Sequence, residues 1–186
     1  LDRGYAHFRL REYKQAIVDL EAAIAKGCGI SAENPSYIDP RLYKVMALNR
    51  LKKYDLALRT LAEYFKKEKG MSADAFIERS IAGFGVQDYD AAARDIDRAF
   101  DLFDERDEFV PPIAYLQRAH VRRATGHFKD AMNDYNEAIG DDQELGEAYF
   151  GRGLVHLSMG DVEAAKTDWR AGAKLGDLSC EKVLSH

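Results

Sequence analysis

The chain has 186 residues, 46% of them hydrophobic and 32% charged, with a formal net charge of −5. That composition excludes a disordered polymer, and its acidic balance argues against a nucleic-acid partner, whose binding needs a dense cationic face. No apolar run approaches the roughly 18 residues that a helical membrane span needs.

Self-similarity organises the chain. An alanine follows an aromatic or a valine by three residues at Tyr13-Ala16, Tyr54-Ala57, Tyr89-Ala92, Phe128-Ala131 and Val162-Ala165. The alanines are separated by 41, 35, 39 and 34 residues, a base period of 34 with insertions after the first three units. Repeats of this length read as stacked helical hairpins, because one hairpin cannot bury its apolar face alone. The units fall at roughly 1–30, 38–70, 73–106, 112–145 and 146–177, with a short capping helix over 178–185 in one continuous domain.

The first unit opens inside a helix pattern, so its start is expected to be truncated at Leu1 and the chain to be a fragment or processed product. Residues 27–38, carrying Gly, Asn and Pro, read as a loop. Asp39-Pro40 is a helix cap followed by a first-turn proline. The second unit departs from the others: Val45 and Tyr64 stand where small residues recur, and Arg41 where an aromatic recurs. Larger side chains at close contacts predict a shifted packing of that hairpin. Gly70 closes its second helix and Ser72 caps the next. Gly83 and Gly85 lie late in the first helix of the third unit, so that helix either ends early or is closely approached there. The acidic run 104–108 extends the second helix of this unit or the loop after it. Pro111-Pro112 opens the fourth unit. The fifth, Ala148 to Gly176, is the cleanest hairpin, turning at Gly160-Asp161. Beyond it, Leu178, Val183 and Leu184 are placed to cover the end.

With the recurring alanine as the twentieth position, other positions align. The eighth holds Gly4, Val45, Ser80, Ala119 and Gly153; the twenty-seventh holds Ala23, Tyr64, Ala99, Ala138 and Gly172; the twenty-fourth holds Leu20, Leu61, Ile96, Tyr135 and Trp169. Small residues at 8, 20 and 27 with bulky ones at 4, 17 and 24 resemble the tetratricopeptide repeat, in five units covering nearly the whole chain. The resemblance implies an all-α, right-handed superhelix of about five hairpins whose first helices line a concave groove. It implies a non-catalytic scaffold for a protein or peptide segment; self-association, or service as an auxiliary domain of a larger protein, is the alternative. In this family positions 2, 5, 9, 12 and 13 tend to face the groove. Here they make Tyr5, Phe8, Met46, Asn49, Arg50, Ile81, Phe84, His120, Arg123 and Phe150 the candidate partner-binding residues. Aromatics and arginines are the types that dominate interface energetics. The pattern by which some members grip a chaperone's C-terminal carboxylate is absent, since Leu1, Tyr5, Tyr43, Asp74 and Glu78 occupy its positions.

The seventh position carries Arg3, Arg79, Arg118 and Arg152, and the twenty-third carries Asp19, Asp95, Asp134 and Asp168; the second unit lacks both, with Lys44 and Thr60. Residues that appear and vanish together predict structural ion pairs, for which a planar guanidinium is suited. No catalytic site, metal or cofactor is expected. Cys28 and Cys180 are too far apart for a zinc spacing and read as free thiols. The five histidines form no metal motif; His7 and His156 share the eleventh position, which points to packing. Gly151-Arg152-Gly153 lies mid-helix and is not a phosphate loop, and Asp141-Asp142 has no apolar pocket to raise a pKa.

Overall fold

A computed structural model describes residues 1–27, 39–67 and 72–185, and shows eleven helices and no strand among them. The chain divides into two compact units, Leu1–Asp95 and Ile96–His186. The first contains α1 (Asp2–Arg9), α2 (Tyr13–Ala25), α3 (Pro40–Arg50), α4 (Tyr54–Lys67), α5 (Ala73–Gly85) and the start of α6 (Tyr89–Glu105). The second contains the rest of α6, then α7 (Pro112–Ala124), α8 (Phe128–Asp141), α9 (Gly146–Ser158), α10 (Val162–Lys174) and α11 (Leu178–Leu184). Cys28, Gly70 and His186, and the loop expected at 27–38 beyond its first residue, lie outside the described residues.

Each hairpin turns the same way. The residue at the fifteenth position has a left-handed backbone in all five: Arg11, Lys52, Gln87, Gly126 and Gly160, with φ between 57° and 86°. The next N–H then donates back to the carbonyl at the eleventh position, at 2.8–2.9 Å, in every turn. This bond pattern terminates a helix by satisfying its last carbonyls. Helix starts are capped by side chains: Asp39, Ser72, Asp161 and Asp177 each accept from a backbone N–H of the first turn, and Pro40 and Pro112 sit where no donor is needed.

In the first unit, Leu42, Val45, Leu48, Ala57, Leu61, Tyr64, Ala75 and Ala82 form one buried cluster. The bulk of Val45 and Tyr64 is absorbed here; both are buried. Helix α5 runs its full length to Gly85 because the Tyr54 ring of α4 lies against that glycine, where a Cβ would stand 2.4 Å from the ring. In the second unit, Leu116, Ala119, Ala131, Tyr135, Ala138, Ala148 and Val155 form the main cluster. Trp169 packs over Gly153 and donates its indole N–H to the Phe150 carbonyl at 3.3 Å. Helix α6 reaches Glu105, so the acidic run begins as an added helical turn, tethered by Arg98 to Glu105 at 2.8 Å.

The cap keeps one of the three expected residues, Val183, and adds one that was not expected. Leu178 is 76% exposed and Leu184 39%, so neither covers the last hairpin. Cys180 is the buried cap residue, seated against Gly172, with Val183 packed partly beside it. Short apolar helices present one face only, and here that face is the one carrying Cys180. The thiol is free, and burial pushes it up to about 12.

Candidate functional site

First helices lie beside first helices: α1 adjoins α3 and α3 adjoins α5 in one unit, and α7 adjoins α9 in the other. Second helices pack behind them, α2 on α3, α4 on α5, and α8 on α9.

The arginines of the seventh position cross-link four of the five hairpins. Arg3 pairs with Asp19, Arg79 with Asp95, Arg118 with Asp134 and Arg152 with Asp168, each through two guanidinium nitrogens. The hydrogen bond from Arg3 holds the Asp19 carboxyl below its ordinary range. Stacking fixes the guanidinium planes. Arg79 lies between Phe65 and Phe76 at 4.4 and 5.1 Å, and Arg118 lies 3.4 Å from the Phe100 ring centre. A second basic residue, at the eleventh position, reaches the same aspartates. Arg122 donates to Asp134 at 2.6 Å, while His7 and His156 stand 3.6 and 3.7 Å from Asp19 and Asp168. The hairpin lacking the pair keeps the chemistry in another register. Arg41, at the fourth position, pairs with its own helix cap Asp39 and lies 5.0 Å from the Tyr64 ring, while Lys44 pairs with Glu21 of the preceding hairpin at 2.8 Å. These groups are occupied with one another and form the frame on which the first helices are held.

The candidate partner-binding residues divide by how much of them stays open. At the ninth position Tyr5, Met46, Ile81, His120 and Leu154 are all half-buried, while every residue at the adjacent eighth position is buried. Tyr5 and Phe8 form an aromatic group with Tyr43, ring centres 4.4 and 5.2 Å away. Phe84 rests on Tyr89 at 5.3 Å, and Phe150 packs partly on the Trp169 cluster. Arg50 is exposed. Asn49 is enclosed: its amide donates to the Glu78 carboxylate at 2.7 Å and to the Glu78 carbonyl at 2.9 Å. Burial pushes the Glu78 carboxyl up to about 7, against the opposing hydrogen bond from Asn49 and charge of Arg50. The half-buried His120 has its ring 5.7 Å from Tyr135; burial, then the charge of Arg123, lowers it to about 4. Arg123 is half-buried beside them.

Sequence alignment of the units did not single out Glu78, Tyr135 or the eleventh-position cations as parts of this face. The usable signal was spacing: a polar residue at the twelfth position meets the sixth of the next hairpin, as Asn49 meets Glu78 across 29 residues. No group of three His, Cys, Asp or Glu side chains among the described residues is arranged to hold a metal ion, and no described helix is long and apolar enough to cross a membrane.

No protein-family model matches the chain. The heat shock protein STI1 of Saccharomyces cerevisiae is 26% identical over 105 residues, which are 56% of this chain and 17% of STI1. The chain thus matches only a small part of that relative's length. Among solved structures, MamA aligns with a TM-score of 0.62 at 18% identity, over 100% of this chain and 99% of MamA. A tetratricopeptide repeat protein from Parabacteroides merdae aligns at 0.70 and 20% identity, over 99% of this chain and 68% of that one. A chain of the APC/C hetero-tetramer Cut9–Hcn1 aligns at 0.80 and 15% identity, over 98% of this chain and 34% of that one. Identities this low speak for the fold and leave ligand and partner open.

Proposed function

We propose, from the premise that this chain is a tetratricopeptide-repeat protein with an all-α helical-repeat fold, that it is a non-catalytic scaffold holding a peptide or protein segment along its first helices. The observation that carries this reading is the contrast between two neighbouring positions of the repeat. The eighth is buried in every hairpin, and the ninth is half-open in every hairpin with a different side chain each time: Tyr5, Met46, Ile81, His120 and Leu154. A position needed only for stacking has no reason to stay open and varied five times over. Half-open aromatics beside Arg50 and Arg123 supply the side-chain types that anchor a bound segment. An extended or helical peptide with apolar anchors fits such a row.

Affinity capture from the native lysate, repeated with Phe84→Ala and with Arg123→Ala, tests the reading. Loss of a shared set of partners in either variant supports it. An unchanged partner set with both variants folded removes the first-helix face as the binding surface.

A further inference from the structure

Successive first helices meet where the twelfth position of one hairpin faces the sixth of the next. Between α1 and α3 this contact is Phe8 with Tyr43, rings 5.2 Å apart. Between α3 and α5 it is Asn49 with the carboxylate of Glu78, at 2.7 Å. Both pairs are complementary: ring on ring, amide on acid. Between α7 and α9 the positions hold Arg123 and Gly151. The donor is present and the residue opposite has no side chain. The Tyr135 ring covers Gly151, 2.4 Å from where a Cβ would stand. Arg123 Nε and the Tyr135 hydroxyl are both buried and short of a well-formed hydrogen bond; Arg123 lies close enough to act on the hydroxyl oxygen as a donor, which leaves the phenol proton unmet. The carboxylate of Asp134 is taken up by Arg118 and Arg122. Burial holds the Tyr135 phenol well above its usual range, so it remains a neutral donor. An unmet buried donor carries a desolvation cost that an acceptor would relieve.

We propose that the α7–α9 junction binds the side-chain carboxylate of an Asp or Glu in a partner peptide, with Arg123 as its ligand and the Tyr135 hydroxyl as the floor of the site. The bound acid would serve Arg123 as Glu78 serves Asn49, approaching beside the Tyr135 ring and not from position 151, which the ring covers. A guanidinium fork matches a carboxylate edge to edge. Arg123 is half-buried and, among the described residues, has no carboxylate of its own paired to it in the way that Arg118 and Arg122 share Asp134. This inference rests on the peptide-binding reading and adds the chemistry of one anchor.

The first test uses the full chain and follows the Arg side-chain Nε–H resonances by NMR, with N-acetyl-glutamate amide as probe, N-acetyl-glutamine amide as its neutral isostere, and constant ionic strength. The expected result is a saturable shift of the Arg123 resonance with the acid alone, while exposed Arg50 stays still. Equal responses to both probes, no response, or parallel shifts at Arg50 and Arg123 overturn the site. The second test selects random twelve-residue peptides fused through their C-termini, so that only side-chain carboxylates are offered. Selected peptides are remade as amides. An acid at a fixed place, whose change to the amide weakens binding at least about tenfold in the wild type and not in Arg123→Gln, supports the site. Arg123→Lys, which keeps charge without the fork, is expected to fall between them, and helical circular dichroism checks that both variants fold. Peptides that bind without an acid, or equally to Arg123→Gln, overturn the carboxylate site and leave the scaffold reading standing. Selection of no peptide overturns both.

Discussion

The two compact units build the same hairpin and differ in how they close two of its joints. At the first-helix joint, the Leu1–Asp95 unit pairs Asn49 with Glu78, and the Ile96–His186 unit holds Arg123 and Gly151 at the same two positions, with the Tyr135 ring over Gly151. At the hairpin turn, the first unit places Arg11, Lys52 and Gln87 in the left-handed conformation, where the second has Gly126 and Gly160. One unit joins its first helices through a side-chain pair and is strained at its turns; the other is relaxed at its turns and has a glycine where that pair's acid would stand. A repeat fixes the sites of contact, and the chemistry at each site is free to change.

The largest expected effect tests the frame common to both. At the twenty-third position the second unit has Asp134, 3% exposed and bonded to Arg118 and Arg122, while the second hairpin of the first unit has Thr60, whose hydroxyl donates to the Leu56 carbonyl. Asp134→Ala strands two cations around a closed space, and a loss of about 3 kcal/mol is expected. Thr60→Ala is expected to change stability by less than about 0.5 kcal/mol. Urea unfolding followed by circular dichroism, with the single Trp169 reporting on the second unit, measures both. A loss below about 1 kcal/mol for Asp134→Ala would sink the idea that these pairs hold the frame.

That frame was legible in the sequence because it repeats. Gly153 facing Trp169, and Arg152 with Asp168, recur at fixed places in other units, so aligning units exposes them. What did not repeat stayed hidden. Glu78 has no counterpart acid at Gly151, and in the second hairpin Arg41 stands at an aromatic position and lies over Tyr64, which stands at a small one. The cap was misassigned for a related reason: Leu178 and Leu184 were weighed by hydropathy, whereas the space beside Gly172 admits the small Cys180 side chain. Contacts between hairpins depend on which pair of side chains fills a shared volume, and a single unit does not state that.

The next effect separates the joints by pH. In the folded chain Glu78 has its pKa pushed up to about 7 from an ordinary 4.5, so it keeps a proton that the unfolded chain releases. Stability of the first unit therefore falls as pH rises from about 4.5 to 7, by an amount on the order of 3 kcal/mol. Glu78→Gln removes this fall, keeps an acceptor for Asn49, and adds a donor for the Asn49 carbonyl oxygen, which is buried without a partner. A gain of about 2 kcal/mol at pH 8 is expected. His120 works in the opposite direction: lowered to about 4 from 6.5, it makes the second unit gain stability as pH rises through that window. His120→Phe is expected to flatten that rise. Unfolding midpoints from pH 4 to 8, read separately by Trp169 fluorescence and circular dichroism, check both; parallel profiles for the two variants would contradict the opposed signs.

A smaller effect is expected from adding a side chain at Gly151. Gly151→Ala gains helix propensity of about 1 kcal/mol but drives a methyl into the Tyr135 ring. The net expectation is a loss of about 1 kcal/mol, seen in Trp169 fluorescence during urea unfolding. A gain would mean that the ring moves freely and that the floor of the site is not fixed.

The smallest effect lies at the turns. A non-glycine residue in the left-handed region costs roughly 1–2 kcal/mol, and glycine costs about 0.5–1 kcal/mol in unfolded-chain entropy. Lys52, at φ 57°, bears the first cost, and Gly160, at φ 86°, avoids it. Lys52→Gly is therefore expected to stabilise the first unit by about 0.5 kcal/mol, and Gly160→Ala to destabilise the second by about 1 kcal/mol. The Lys53 N–H to Leu48 carbonyl bond and the Asp161 N–H to His156 carbonyl bond are both 2.9 Å, so the two turns share a geometry and differ in the side chain that adopts it. Chemical denaturation of the two variants, with their amide exchange at Lys53 and Asp161, measures the difference directly. Opposite signs are required: if both substitutions destabilise, Lys52 is held in its turn by contacts that outweigh its backbone strain, and the first unit is not strained where the second is relaxed.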